Sequence, residues 1–191
     1  MLDRLRRRLE AYLGFVGRSF SQVEASPTAW TMVGLAFSVL SGVAFSYGSY
    51  KGQFAGGVLI LAAGWFDIVD GAVARVTGRV SKRGAFLDST LDRVAEVAVF
   101  LGILAGGLAP PVLVLTALSL SLLVSYTRAK GDALGVTLSG VGIGERSERL
   151  LILAIASITG YSGWGVILVA LVAGFTFLER TYRAFSVLGD P

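Results

Sequence analysis

Between Leu2 and Phe20 apolar side chains recur at helical spacing, with Leu2, Leu5, Leu9, Tyr12, Leu13, Val16 and Phe20 on one side and Arg4, Arg7, Arg8 and Arg18 off it. A two-sided pattern of this kind predicts a helix lying on a membrane surface. Pro27 breaks it, and from Trp30 onward the chain becomes apolar on all sides. Six stretches are then long enough to cross a bilayer, at about 30–48, 53–75, 85–107, 110–129, 149–163 and 165–182. The fifth is short and crosses only with little tilt or by beginning inside the preceding loop. The expected fold is all-α: a polytopic membrane protein with six transmembrane helices behind an N-terminal amphipathic juxtamembrane helix. Residues 1–26 form that first helix and 27–191 a single transmembrane domain.

Charge orients this arrangement. Basic residues cluster in the N-terminal segment, at 75–83, at 128–149, and at Arg180 and Arg183, and with six spans only Lys51 falls on the other face. Basic loops stay on the cytoplasmic side, so both termini are expected there, in the cell membrane. The segment ahead of Trp30 carries five arginines and does not read as a cleavable signal. Composition agrees: 54% of the 191 residues are hydrophobic and mean hydropathy is +0.71, more apolar surface than a soluble core of this size buries. The cations follow the membrane rule, so no nucleic-acid partner is expected. Cys and His are both absent, which removes thiolate and imidazole chemistry and leaves carboxylates as bases and ligands. Asn is absent too, and such scarcity of labile side chains fits a heat-adapted source.

Ionisable residues inside a span are costly and mark function. Asp67, Asp70, Gly71 and Ala74 stand at i, i+3, i+4 and i+7 on one helical face, and Gly84, Asp88 and Asp92 follow at steps of four. Two adjacent antiparallel helices joined by 76–83 would bring four carboxylates together just below the cytoplasmic surface. Such a set repels itself unless cations bridge it or protons neutralise it. Divalent metal is the economical answer, and all-oxygen ligation favours two ions of Mg²⁺ or Mn²⁺, a pair suited to pyrophosphate and phosphoryl chemistry. Gly71 and Ala74 lack bulk, leaving room for a nucleotide whose phosphates Arg75 would meet. Salt bridges to Arg75, Arg79, Lys82 or Arg93 are the plainer reading, which suits one or two acids better than four at matched spacings. Glu96 lies one turn beyond Asp92 and is expected to pair with Arg93. A transporter with an intramembrane carboxylate site is the alternative of another class, but it would spread acids toward the midplane.

Written out, Asp67-x2-Asp70-Gly71-x2-Ala74-Arg75-x8-Gly84-x3-Asp88-x3-Asp92 is similar at every fixed position to the motif of the CDP-alcohol phosphatidyltransferase family. Pro27-Thr-Ala-Trp30-Thr31 resembles that family's Pro-Asn-x-aliphatic-Thr, with Thr28 in place of Asn. The resemblance implies a two-metal enzyme, usually a homodimer, that moves a lipid-phosphate group from a CDP-linked lipid to an alcohol and releases CMP. It implies Asp67, Asp70 and Asp88 as metal ligands, Asp92 as both ligand and general base, and Thr31, Gly71, Ala74, Arg75 and Ser81 around the cytidine diphosphate.

The acceptor must be read from cations outside the motif. Tyr126-Thr-Arg128-Ala-Lys130 and Gly144-Glu-Arg146-Ser-Glu-Arg149 end and begin spans on the face that holds the aspartates. Cations facing a pocket suit a phosphorylated acceptor, although anionic lipid headgroups would also attract them. Both segments resemble the branch that makes phosphatidylinositol phosphate, or archaetidylinositol phosphate, from inositol 1-phosphate. On that resemblance Arg128, Lys130, Arg149 and Arg180 hold the inositol phosphate, with glycerol 3-phosphate as the runner-up acceptor. The lipid would be CDP-archaeol or CDP-diacylglycerol.

Overall fold

The computed structural model describes residues 2–23 and 25–189, with side chains from Tyr12 onward. The faces assigned to Leu2, Leu5, Leu9, Arg4, Arg7 and Arg8 therefore lie outside the described residues. The described residues form seven helices: α1 (Leu2–Ser21), α2 (Pro27–Ser46), α3 (Tyr50–Val76), α4 (Lys82–Ala105), α5 (Pro111–Ala133), α6 (Arg146–Ile158) and α7 (Ser162–Leu188). No strand occurs among the described residues.

Local chemistry sets the starts of these helices. Ser26, Ser49 and Ser81 stand in extended conformation before α2, α3 and α4, and each hydroxyl accepts a backbone N–H, from Ala29, Gly52 and Gly84 at 3.2, 3.1 and 3.0 Å. Pro27 and Pro111 occupy first turns, where a missing N–H costs nothing. Gly160, at φ +84°, turns the chain between α6 and α7.

Four helices, α2, α3, α5 and α7, are long and apolar enough to cross a membrane. Two of the six expected stretches do not meet that standard. Along its 24 residues α4 carries Lys82, Arg83, Asp88, Asp92, Arg93 and Glu96, and α6 is only 13 residues long. The stretch expected at 149–163 ends at Ile158 because a glycine turn follows, and Ser162 already starts α7.

One core joins Phe45 of α2, Ile60 of α3, Val99, Phe100 and Ile103 of α4, Val114 of α5, Leu153 of α6 and Val166 of α7. A second lies beneath α1, where Val16 packs on Val69, Ala72 and Val73 of α3 with Phe20, Trp30 and Trp65 at its edge. Val16 and Phe20 thus sit on the inner side of α1 and Arg18 is exposed, as the sequence pattern predicts. An aromatic run, Phe20 to Trp30 (5.1 Å), Trp30 to Phe66 (5.9 Å) and Phe66 to Phe37 (5.2 Å), ties α1, α2 and α3 together next to Asp67.

At the crossing of α2 and α4, Gly42 and Gly102 bring the backbones together, and a Cβ on Gly102 would run into the Gly42 carbonyl. Gly102→Leu is expected to lower the thermal midpoint of the detergent-solubilised protein by roughly 5–10 °C. A midpoint within about 1 °C of wild type would mean that this crossing contributes nothing to stability.

Candidate active site

The last turns of α3 and the first turns of α4 meet at one end of the bundle. There the carboxylates of Asp67, Asp70 and Asp88 each place an oxygen within 4.8 Å of the others. Asp70 is buried, and both its Oδ2 and the Oδ1 of Asp88 are sealed from solvent without a hydrogen-bond partner. A sealed, unpartnered carboxylate oxygen is expensive, and hard oxygen donors at this spacing fit a divalent ion such as Mg²⁺ or Mn²⁺.

Asp92 stands apart from this triad. Its Oδ1 lies 2.7 Å from Nη1 of Arg146, and the same nitrogen lies 3.3 Å from Oδ1 of Asp67. Nη2 of Arg93 flanks Oδ2 of Asp92 at 3.6 Å. The four aspartates expected as one set are therefore three plus one, with the Arg146 guanidinium bridging them. Arg146 was not expected as a site residue. Its signal was present all the same: it opens α6 in the basic stretch of the aspartate face, and the fourth acid needed a counter-charge.

Two cavities open on either side of the triad. One, of about 560 Å³, is walled by Thr31, Gly71, Ala74, Arg75 and Ser81, together with Arg79 and the inner faces of Asp70 and Asp88. The other, of about 590 Å³, is walled by Asp67, Asp88 and Asp92 and by Arg93, Arg128 and Arg146. Asp88 belongs to both walls, so the cavities meet at the aspartates. All five residues expected around a nucleotide share the first cavity. Ser81 also caps α4 there, its hydroxyl accepting the Gly84 N–H.

The expected phosphate-holding cations separate into three situations. Arg128 faces the second cavity, nearly half exposed, with Nη1 at 3.6 Å from Glu145 and Nη2 donating to Ser139 Oγ at 3.4 Å. Lys130 is exposed and outside both cavity walls. Arg149 and Arg180 reach the second cavity's wall but are 1% and 2% exposed, and every guanidinium nitrogen is engaged.

Arg149 donates from Nε and Nη2 to Glu96 at 3.2 and 2.8 Å, from Nη1 to the Gly144 carbonyl at 2.6 Å, and from Nη2 to the Ser121 carbonyl at 3.4 Å. Arg180 donates to the carbonyls of Val141 and Val124 and to Glu145. Arg149 and Arg180, expected as phosphate ligands, thus spend these donors on bracing the chain. Glu96 likewise pairs with Arg149 and not with Arg93, which turns back along α4 to donate to the Ser89 carbonyl at 2.9 Å.

Residues 25–178 match the model of the CDP-alcohol phosphatidyltransferase family. The chain belongs to that family. It is 35% identical over 185 residues to the archaetidylinositol phosphate synthase of Pyrococcus horikoshii, covering 96% of each chain. Over 164 residues it is 40% identical to the Aeropyrum pernix protein of the same name, covering 85% of this chain and 82% of that one. Phosphatidylinositol phosphate synthase of Mycobacterium tuberculosis, solved with CDP-DAG bound, superposes with a TM-score of 0.77 at 28% identity over 90% of this chain and 92% of that one. The same enzyme in complex with manganese and citrate gives 0.78 over 90% and 88%.

The triad makes a metal-binding prediction for this family member. In a Mn²⁺ titration followed by electron paramagnetic resonance, without any substrate, Asp88→Asn and Asp70→Asn should each weaken binding at least tenfold, about 1.4 kcal/mol. Unchanged affinity in both would remove the triad as the ion's ligand set.

Proposed function

We propose that the protein transfers the lipid-phosphate group of a CDP-linked lipid, CDP-archaeol or CDP-diacylglycerol, to inositol 1-phosphate and releases CMP. The observation that carries this reading is the meeting of two cavities at Asp88, one bare and edged with cations, the other holding arginines opposite the aspartates. In the first, Gly71 and Ala74 leave the α3 surface open to a nucleotide, and Arg75 and Arg79 supply charge for its diphosphate. In the second, Arg93, Arg128 and Arg146 receive an acceptor that itself bears phosphate. The relatives' names, archaetidylinositol and phosphatidylinositol phosphate synthases, support inositol 1-phosphate as that acceptor.

Two divalent ions, held by Asp67, Asp70, Asp88 and Asp92, would neutralise charge on the pyrophosphate oxygens and on the departing nucleotide phosphate. The rest falls to the chain's own groups. Asp92 takes the proton of the acceptor hydroxyl, whose oxygen bonds to the lipid-side phosphorus. The bond from that phosphorus to the bridging oxygen breaks, and CMP leaves with its electron pair. Arg146, in contact with Asp92, keeps that carboxylate turned toward the acceptor cavity. The relevant assay is CMP release with Mg²⁺ and CDP-lipid. Inositol 1-phosphate should support turnover, and Arg128→Ala should raise its KM roughly tenfold while leaving that of the CDP-lipid within about twofold. Turnover with glycerol 3-phosphate alone would reassign the acceptor, and silence with inositol 1-phosphate, glycerol 3-phosphate, serine and free inositol would overturn the reading.

The same reading places six helices across the cell membrane, with α4 crossing below its charged first turns and α6 completing a short crossing after the loop 134–145. Both termini and the aspartates are then cytoplasmic, and a homodimer follows from the family resemblance alone. The absence of native Cys makes the topology easy to probe. In intact cells Lys51→Cys and Tyr161→Cys should react with an impermeant maleimide, and Arg79→Cys and Ser186→Cys only after permeabilisation. Labelling of Arg79→Cys from outside would reverse the orientation.

A further inference from the structure

We infer that Glu96 and Arg149 are positioning residues for the acceptor side of the site: a sealed ion pair that holds Asp92 of α4 and Arg146 of α6 in register. The inference rests on the proposed roles of those two residues. Asp92 and Glu96 are one turn apart on α4, and Arg146 and Arg149 nearly one turn apart on α6, so the two helices face each other across two rungs. The upper rung, Asp92 with Arg146 at 2.7 Å, borders the acceptor cavity, with side chains 18% and 16% exposed. The lower rung is closed: Glu96 and Arg149 are 0% and 1% exposed, and Nη2 of Arg149 reaches both carboxylate oxygens, at 2.8 and 3.2 Å.

About two turns beyond Arg146, Leu153 of α6 shares a core with Val99 and Phe100 of α4. The helix α6 packs mainly on α3 and α7, and its first turn reaches α4 through these arginine side chains. The remaining donors of Arg149 fix the Gly144 carbonyl just ahead of α6 and the Ser121 carbonyl of α5. A single guanidinium therefore ties α4, α5 and the segment leading into α6.

Stability is a weak reason for such a pair, because well-packed apolar residues of similar volume often serve as well or better. Geometry is the stronger reason. Displacing a reacting group by about 1 Å can cost on the order of 100-fold in rate. The upper rung cannot maintain its own register, since a phosphate entering the cavity competes with Asp92 for Arg146. In the lower rung Glu96 is absent from the cavity wall and Arg149, which touches it, is 1% exposed with its donors already bonded, so this rung keeps α6 in place while the upper rung exchanges partners.

Removing one partner would strand a buried charge and unfold the protein, so the informative variant replaces both: Glu96→Leu with Arg149→Met. This protein should fold with a thermal midpoint at or above wild type, bind Mn²⁺ normally and keep its CDP-lipid KM within about twofold. Its kcat/KM for inositol 1-phosphate should fall roughly 100-fold. Retention of wild-type kcat/KM would overturn the inference. If the double variant fails to fold, Glu96→Asp keeps both charges and shortens the rung by one methylene; a loss of about tenfold in acceptor kcat/KM is expected, and no loss would overturn the inference.

A readout independent of turnover separates this inference from the acceptor assignment. Spin labels at Leu101→Cys and Leu151→Cys, both half-exposed positions on α4 and α6, should give a broader distance distribution in the apolar double variant. A distribution as narrow as in the parent protein would overturn the strut whatever the acceptor is.

Discussion

Mutual repulsion of carboxylates gathered at one end of α3 and α4 is the constraint on which the rest of this protein depends. With oxygens of Asp67, Asp70 and Asp88 within 4.8 Å of one another, each pair of charges opposes the fold by an amount on the order of 3 kcal/mol at an effective dielectric constant near 20, less where Asp67 faces water. The chain meets part of this cost itself, by placing the Arg146 guanidinium between Asp67 and Asp92. It leaves Asp70 Oδ2 and Asp88 Oδ1 sealed without a hydrogen-bond partner. An arrangement that neutralises two acids internally and leaves the others bare makes sense only if something cationic completes it.

Holding that arrangement together is a matter of close backbone packing. Gly42 and Gly102 let α2 and α4 touch, and Gly17 lets α1 approach the Ala72 carbonyl directly behind Asp70 and Gly71. The aromatic run from Phe20 to Phe37 locks α1, α2 and α3 beside Asp67. The aspartates thus project from helices with little freedom to shift, which is what preorganised ligand positions require. Arg146, by contrast, sits at the start of a 13-residue helix after an irregular loop, and its placement needs bonds from outside its own element.

What the sequence made legible follows from this difference. The helical phase of Asp67, Asp70, Gly71 and Ala74, and of Gly84, Asp88 and Asp92, is local information, so the gathering of aspartates could be read from spacing, though not the separation of Asp92 from the other three. The inner face of α1 was legible for the same reason. Thr31 and Ser81, at the wall of the first cavity, came from the family resemblance. The partners of Glu96 and Arg149 were not, because they lie 53 positions apart in the chain and nothing local marks their pairing. The six-span expectation outran the four helices that qualify by length and composition because the charges of α4 belong to the site, and because a turn at Gly160 cuts α6 short.

Counting nitrogens separates what charge alone could not. In the sequence Arg93, Arg128, Arg146, Arg149 and Arg180 are equivalent cations on one face. In the structure, Arg149 and Arg180 have every guanidinium nitrogen bonded and almost no exposure, so a phosphate could reach them only by breaking bonds that brace the helices. Arg93 and Arg146 each keep an Nε without a partner, and both border the second cavity beside Asp92. A buried donor left unbonded costs about 1–3 kcal/mol, a cost that falls when an anion draws the guanidinium toward it. Arginines with an unbonded nitrogen are the ones free to turn toward an anion, and those with every nitrogen engaged brace the fold.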